Sequence, residues 1–158
     1  MTVRYSTGCL NKLLGENGVD TGANGLRGIF KDGVINIYTG TQPSLADNAA
    51  TGTLLATVTV DAGAFTDGVA TNGLEFDAPV GAVLSKAAAE NWQYKGIAAG
   101  TAGWFRFRGN ATDDGSLSTT LPRIDGSIGT VSGDLLLSNT AIAVNSPGTI
   151  DIFSITLS

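Results

Sequence analysis

Residues able to carry out chemistry are few in this chain of 158 residues, which has no histidine and a single cysteine, Cys9. Most catalysis at neutral pH uses an imidazole, a thiolate or a crowded set of carboxylates. A serine triad would lack its histidine, and most of the 14 acidic residues fall in turn positions, which disfavours the paired carboxylates of a glycosidase. The sequence therefore predicts a protein without enzymatic activity or cofactor, one that binds or assembles.

An acidic pair, Asp113 and Asp114, lies beside Asn110 and Gly115 and superficially resembles a calcium-binding loop. An EF-hand loop alternates its ligands and ends in a glutamate, and this segment has neither feature. The residue types are those of a tight turn. We therefore predict a turn here and no metal site.

The segment 104–108 concentrates aromatic and basic side chains. In a strand, Phe105 and Phe107 face one way while Trp104, Arg106 and Arg108 face the other. The second face has three interpretations: cross-strand pairing with acidic residues of the same sheet, a protein interface, or stacking on sugar rings. Trp92 and Tyr94, also on one face of a strand, are typical of a core or an interface.

Composition limits the partners. Charged residues make up 15% of the chain, below the usual share of about 25%, which favours a surface shared with other subunits. The net charge of −5 disfavours nucleic acid. No apolar run has membrane-spanning length and the N-terminus lacks the apolar core of a signal peptide. These features predict a soluble protein made in the cytoplasm, with neither a nucleic acid nor a membrane as partner.

The first 33 residues differ from the rest and are interpreted as an arm, followed by a β domain at 34–158. Apolar residues recur at helical spacing twice in the arm, which predicts two short helical segments that dock on their own domain or on a neighbouring subunit. The predicted protein-interface residues are Tyr5, Leu10, Leu13, Leu14, Leu26, Ile29 and Phe30 in the arm, with Trp104, Arg106 and Arg108 as the second set.

From residue 34 onward the apolar pattern alternates with period two, and glycine-containing turns separate the segments. The pattern predicts about ten strands, a number typical of sandwiches. The predicted strands are 34–38, 54–60, 73–76, 82–85, 92–98, 103–108, 123–130, 134–138, 141–144 and 149–157. In the last one the apolar face switches between Ile152 and Phe153, which indicates a bulge or a strand covered on both sides. The expected fold is an all-β, antiparallel, jelly-roll-like sandwich with an N-terminal arm.

Several stretches of this chain resemble a family of small virion proteins from tailed bacteriophages. They are residues 28–47 (GIFKDGVINIYTGTQPSLAD), 51–57 (TGTLLAT), 100–108 (GTAGWFRFR), 121–126 (LPRIDG) and 152–157 (IFSITL). These motifs are structural, and the resemblance assigns no functional residues to this chain.

The resemblance implies a phage structural protein. A small acidic sandwich with an arm suits a capsid cement, or decoration, protein on the head surface, which bridges neighbouring major capsid subunits and forms homo-oligomers. The alternative within the virion is a tail or tail-fibre component that binds host polysaccharide through the Trp104 and Arg106 face. Polysaccharide is the less favoured partner.

Overall fold

The computed structural model describes residues 3–9 and 25–156 of the chain. In these ranges the chain forms eleven strands and one short helix, and residues 7–9 are also helical. In chain order they are β1 (Arg4–Tyr5), α1 (Gly25–Ile29), β2 (Val34–Thr39), β3 (Leu54–Val60), β4 (Val83–Ser85), β5 (Trp92–Lys95), β6 (Gly100–Arg108), β7 (Arg123–Gly129), β8 (Leu135–Leu136), β9 (Ala141–Ile142), β10 (Pro147–Ile150) and β11 (Ser154–Thr156).

The strands form an all-β fold of the sandwich class, which confirms the predicted fold class. A large sheet has the order β1-β7-β6-β2-β3-β5-β10, with β8 added beside β7 and β9 beside β6. Its pairings are antiparallel except for the parallel β7–β8 pair. Strands β4 and β11 form a second, two-stranded antiparallel sheet. The two sheets are therefore of unequal size.

The hydrophobic core lies against one face of the large sheet. Strand β6 contributes Phe105 and Phe107 and strand β2 contributes Ile35 and Ile37, all of them almost fully buried. Alternation places these residues on the same face because each pairs across the β2–β6 ladder, where Ile37 lies opposite Phe105. Aromatic rings from the segments that flank the small sheet close this core from the other side.

Phe153 illustrates how the two sheets meet, since its ring centroid lies 5.7 Å from that of Phe105 and 5.9 Å from that of Phe107. Phe76 packs at 5.4 Å from Phe107. Gly126 is directly opposite Phe105 in the β6–β7 ladder, and a Cβ there would lie 2.6 Å from the Phe105 ring. A glycine is needed at this position because the ring occupies the space of a side chain.

The arm segments that the structure describes are part of this same body. Helix α1 buries Leu26 in the core, and Phe30, just after its end, packs on Phe107 with ring centroids 5.1 Å apart. Strand β1 adds to the edge of the large sheet beside β7, and Cys9 is fully buried in the core. Residues 3–9 and 25–33 therefore dock on their own domain. For the second predicted helical segment this is the first of the two interpretations, whereas the apolar residues of the first segment lie outside the described residues.

Two strand predictions require correction. The segment 73–76 forms isolated bridges, Gly33 to Leu74 and Phe76 to Lys86, instead of a strand. The predicted strand 149–157 is interrupted, so that β10 pairs with β5 while β11 pairs with β4 in the other sheet. Ile152 is 81% exposed at the interruption, which explains the switch of the apolar face: the chain leaves one sheet and enters the other.

Candidate functional site

The opposite face of the large sheet is polar and is also buried along β2, β6 and β7. One cross-strand row contains Arg4, Asp125, Arg106, Asn36 and Thr57, in register across β1, β7, β6, β2 and β3. We call this face, with the loops that cover it, the polar layer. Its covering loops are residues 44–48 and 111–118. Buried polar groups need hydrogen-bond partners, and among the described residues only Trp104 Nε1, Arg106 Nη1 and Arg108 Nε of this layer are buried without one.

Arg106 and Asp125 form the central ion pair of the polar layer. Arg106 donates from Nε to Asp125 Oδ1 and from Nη2 to Oδ2, both at 2.7 Å, in the bidentate geometry that guanidinium and carboxylate favour. The two side chains are 1% and 0% exposed. Arg106 Nη2 also donates to the Asn48 carbonyl at 3.1 Å. The pair therefore joins two strands of the sheet to a covering loop.

Arg123 and Asp113 form a second buried pair, which joins strand β7 to the loop 111–118. Arg123 Nε donates to Asp113 Oδ2 at 2.7 Å, and Nη2 donates to Oδ1 and, at 2.8 Å, to the Ser116 carbonyl. The Gly115 N–H also donates to Asp113 Oδ1 at 2.9 Å. The acidic segment that superficially resembles a calcium loop thus uses its first aspartate to fix a turn onto the sheet.

The two buried aspartates differ in their protonation equilibria. Burial acts to raise the pKa of Asp113, but the hydrogen bonds from Arg123 and from the Gly115 N–H outweigh it and the pKa lies below its ordinary value. Complete burial raises the pKa of Asp125, and the hydrogen bonds from Arg106 offset only part of that effect. Asp113 is therefore the carboxylate that stabilises the fold through its charge.

Aromatic stacking completes the polar layer around Arg106. The rings of Tyr38 and Trp104, opposite each other in the β2–β6 ladder, stack with centroids 4.5 Å apart and an interplanar angle of 13°. The Arg106 guanidinium carbon lies 5.4 Å from the centre of the Trp104 ring, a cation–π distance. Burial raises the pKa of Tyr38. These contacts lie within one chain.

The N-terminal segment is tied to the covering loop 44–48. The Thr7 N–H donates to Asp47 Oδ1 at 2.7 Å and the Thr7 hydroxyl donates to Oδ2 at 2.5 Å. Arg4 donates from Nη1 to the Ser44 carbonyl. The two loops are joined to each other, since the Ser118 N–H donates to the Asp47 carbonyl at 2.8 Å. Segment 3–9 and both loops therefore form one connected surface.

Arg108 marks the end of the covered region. Its Nη1 lies 2.8 Å from Asp67 Oδ1 and 3.2 Å from the Ala111 carbonyl, and its guanidinium carbon lies 5.3 Å from the centre of the Phe65 ring. Beyond Arg108 the sheet opens into a groove of about 420 Å³, whose lining includes Thr57 and Lys95. The same polar face is therefore closed over β6 and β7 and open over β3 and β5.

The predicted interface residues are distributed unevenly. Five of them are almost fully buried inside the chain, which corrects their assignment as a partner surface: Leu26, Phe30, Trp104, Arg106 and Arg108. Tyr5 and Ile29 are half-buried and pack against the core. Leu10, Leu13 and Leu14 lie outside the described residues. Of the three interpretations of the 104–108 strand, cross-strand pairing with an acidic residue of the same sheet is found for Arg106 with Asp125, whereas Arg108 pairs with Asp67 in a loop.

Sequence reasoning did not identify Asp125, Asp113, Arg123 and Asp67 as the partners. A signal was present in β7, where Arg123 and Asp125 are two residues apart and so share a face, as Arg106 and Arg108 do in β6. Only the register, which sets Asp125 opposite Arg106, gives that pairing, whereas Asp113 and Asp67, the partners of Arg123 and Arg108, lie in loops outside the ladder. The register depends on contacts distant in sequence, which a pattern within one strand does not contain.

Comparison with protein-family models, curated proteins and solved structures finds no match for this chain. Within residues 3–9 and 25–156, no three histidine, cysteine or acidic residues are grouped so that they would hold a metal ion. In the same part of the chain, no helix has the length and apolar character needed to cross a membrane.

Proposed function

We propose that this chain is a non-enzymatic structural protein of a tailed-bacteriophage virion, and specifically a capsid cement protein. The resemblance of its motifs to small virion proteins supports the class. The observation that carries the more specific role is the pair of covering loops, which are held on the sheet by the arginines of the two buried ion pairs and expose large apolar side chains. In this role the partners are the major capsid protein and further copies of the chain on the head surface.

The covering loops supply the contact surface in this proposal. Leu45 is 58% exposed and Leu117 is 69% exposed, and they lie on the two loops that the Ser118 to Asp47 hydrogen bond joins. Exposed apolar side chains on an ordered loop gain free energy when a partner covers them, at about 25 cal/mol per Å². A modest contact repeated around a shell adds to a large total stabilisation.

Rigidity is the property that the polar layer adds. A cement protein must transmit force between shell subunits, so its contact surface has to keep its shape under load. The Arg123–Asp113 and Arg106–Asn48 contacts hold the loops on the sheet, and fixed loops lose little conformational entropy on binding. The two buried aspartates of the polar layer, Asp113 and Asp125, are engaged in ion pairs, which supports a structural over a catalytic use.

A cryo-electron reconstruction of the virion tests the proposal. Density of this chain at joints between capsid subunits is the expected result, with the covering loops against the shell. Density confined to the tail would overturn the cement role and favour the tail or tail-fibre alternative. Loss of particle binding by Leu45→Asp/Leu117→Asp, with binding retained by the matched control Val131→Asp/Val144→Asp, would locate the contact on the covering loops.

A further inference from the structure

The groove beyond Arg108 has the lining of a small-molecule site. Its volume of about 420 Å³ lies within the range of ligand pockets. It contains an ammonium group, a carboxylate, hydroxyl groups and apolar side chains, contributed by Lys95, Asp67, Thr57, Phe65 and Ile97. A site that combines all four kinds of group suits a ligand that is itself both polar and apolar.

The charge of the groove favours an anionic ligand. Lys95 and Arg108 line it with one carboxylate, that of Asp67, so the groove carries a net positive charge on a chain of net charge −5. Within residues 3–9 and 25–156, Lys95 has no hydrogen-bond or ion-pair partner, whereas every other basic residue there donates to an acceptor. Its exposed ammonium group is therefore available to a ligand carboxylate.

The remaining polar groups act as acceptors. The Thr57 hydroxyl already donates to Asn36 Oδ1 at 3.0 Å, so it offers only its lone pairs to the groove. Asp67 uses Oδ1 for Arg108, and its side chain is 30% exposed. Acceptors of this kind require a ligand that donates hydrogen bonds, and sugar hydroxyl groups do so.

Apolar side chains form another part of the lining. Phe65 is half-buried, and Ile97 is 57% exposed. A sugar ring presents C–H groups on its faces and hydroxyl groups at its edge, and can pack against such side chains while its hydroxyl groups reach the acceptors. The loop that carries Phe65 is held in place without a ligand. Asn72 Nδ2 donates to the Ala64 carbonyl at 2.7 Å, and Thr59 Oγ1 donates to the Gly63 carbonyl at 2.8 Å.

We propose that the groove between β3, β5 and the 61–67 loop binds a carboxylated sugar, with Lys95 on the carboxylate, Asp67 and Thr57 on the hydroxyl groups and Phe65 against the ring. This site is distinct from the covering loops, and the proposal does not depend on the cement role. It also differs from the predicted sugar-stacking face, since Trp104 and Arg106 are buried.

Titration of the full chain with sodium D-glucuronate, D-glucose and sodium acetate, followed by amide NMR, tests this proposal. We expect glucuronate to shift the amide signals of residues in β3, β5 and the 61–67 loop, with a Kd at least tenfold lower than that of glucose or acetate. Lys95→Ala should raise the glucuronate Kd about tenfold, which corresponds to about 1.4 kcal/mol. Lys31→Ala, which removes the same charge from outside the groove, should leave it unchanged.

Three results would overturn the proposal. Equal affinity for acetate and glucuronate would mean that the groove binds any small carboxylate and does not recognise the sugar. Equal affinity for glucose would mean that Lys95 does not select a charged ligand. Absence of shifts in the groove at the highest glucuronate concentration, with the protein folded, would mean that no carboxylated sugar of this size binds there.

Discussion

Phe105 and Phe107 project from one face of strand β6 and pack against aromatic rings. Arg106 and Arg108 project from the other face of the same strand and form ion pairs with aspartates. Both faces are buried. Burial of the apolar face is favourable without any particular geometry. The polar face loses hydration and regains that free energy only where donor and acceptor meet at the right distance and angle.

The two faces therefore have different roles: one stabilises the fold, and the other positions the loops. The apolar face supplies most of the favourable free energy, because apolar area removed from water contributes wherever it is buried. The polar layer contributes less net free energy but fixes which loop lies where, since the bidentate pairing of Arg123 with Asp113 requires the loop to hold that carboxylate in one position. We expect variants on the two faces to differ accordingly.

The largest effect is expected on the apolar face. Phe107→Ala should reduce the free energy of unfolding by about 4 kcal/mol, because it leaves a cavity between Phe30, Phe76 and Phe153. Urea denaturation followed by tryptophan fluorescence measures the change. Phe65→Ala serves as the control, since that ring is half-buried and its loss should cost much less. Equal losses in the free energy of unfolding for the two variants would contradict the conclusion that the buried apolar face supplies most of the stability.

The core of the apolar face was largely predictable, and the polar layer was not. Period-two alternation in the sequence is enough to place Phe105 and Phe107 on one face. Their burial needs an apolar environment but no particular partner residue. Arg106 requires a particular partner, and Asp125 is 19 residues away along the chain. Its identity depends on how β6 and β7 align, which in turn depends on the whole sheet. The covering loops are similarly set by long-range contacts that have no local pattern.

A smaller effect, and a more informative one, is expected at the central ion pair. Asp125→Leu should reduce the free energy of unfolding by about 3 kcal/mol because it leaves the Arg106 guanidinium buried without its carboxylate. The double variant Arg106→Met/Asp125→Leu should recover most of that loss, since it removes both charges from a buried site of similar volume.

Denaturant titration of Asp125→Leu, of Arg106→Met and of the double variant gives the coupling free energy of the pair. Recovery in the double variant would mean that the pair positions strands and loop and adds little net stability. A double variant as unstable as Asp125→Leu alone would contradict this, because the polar face would then stabilise the fold as strongly as the apolar one.

The smallest effect is expected at the pair that joins sheet and loop, and its pH dependence identifies it. The pKa of Asp113 is lowered in the folded state, so its contribution to stability is present above the unfolded pKa and is lost as pH falls through the folded pKa. Asp113→Asn should therefore lower the free energy of unfolding by about 2 kcal/mol at pH 7. The loss should become progressively smaller from about pH 4 downward, where the carboxylate of the unmodified protein is itself protonated. The pKa of Asp125 is raised in the folded state, so its protonation favours the folded state as pH falls. The titration of Asp125 therefore cannot produce the loss of stability expected from Asp113.

Urea titrations at pH 7 and at pH 3, together with amide hydrogen exchange at Gly115, separate local from global effects. The Gly115 N–H donates to Asp113 Oδ1, so its exchange should accelerate in Asp113→Asn more than exchange in β6 does. Asp151→Asn removes one charge from an exposed position and should change neither quantity. If Asp113→Asn instead cost the same at both pH values, its charge would not be what holds the loop, and the polar layer would position the loop through packing alone.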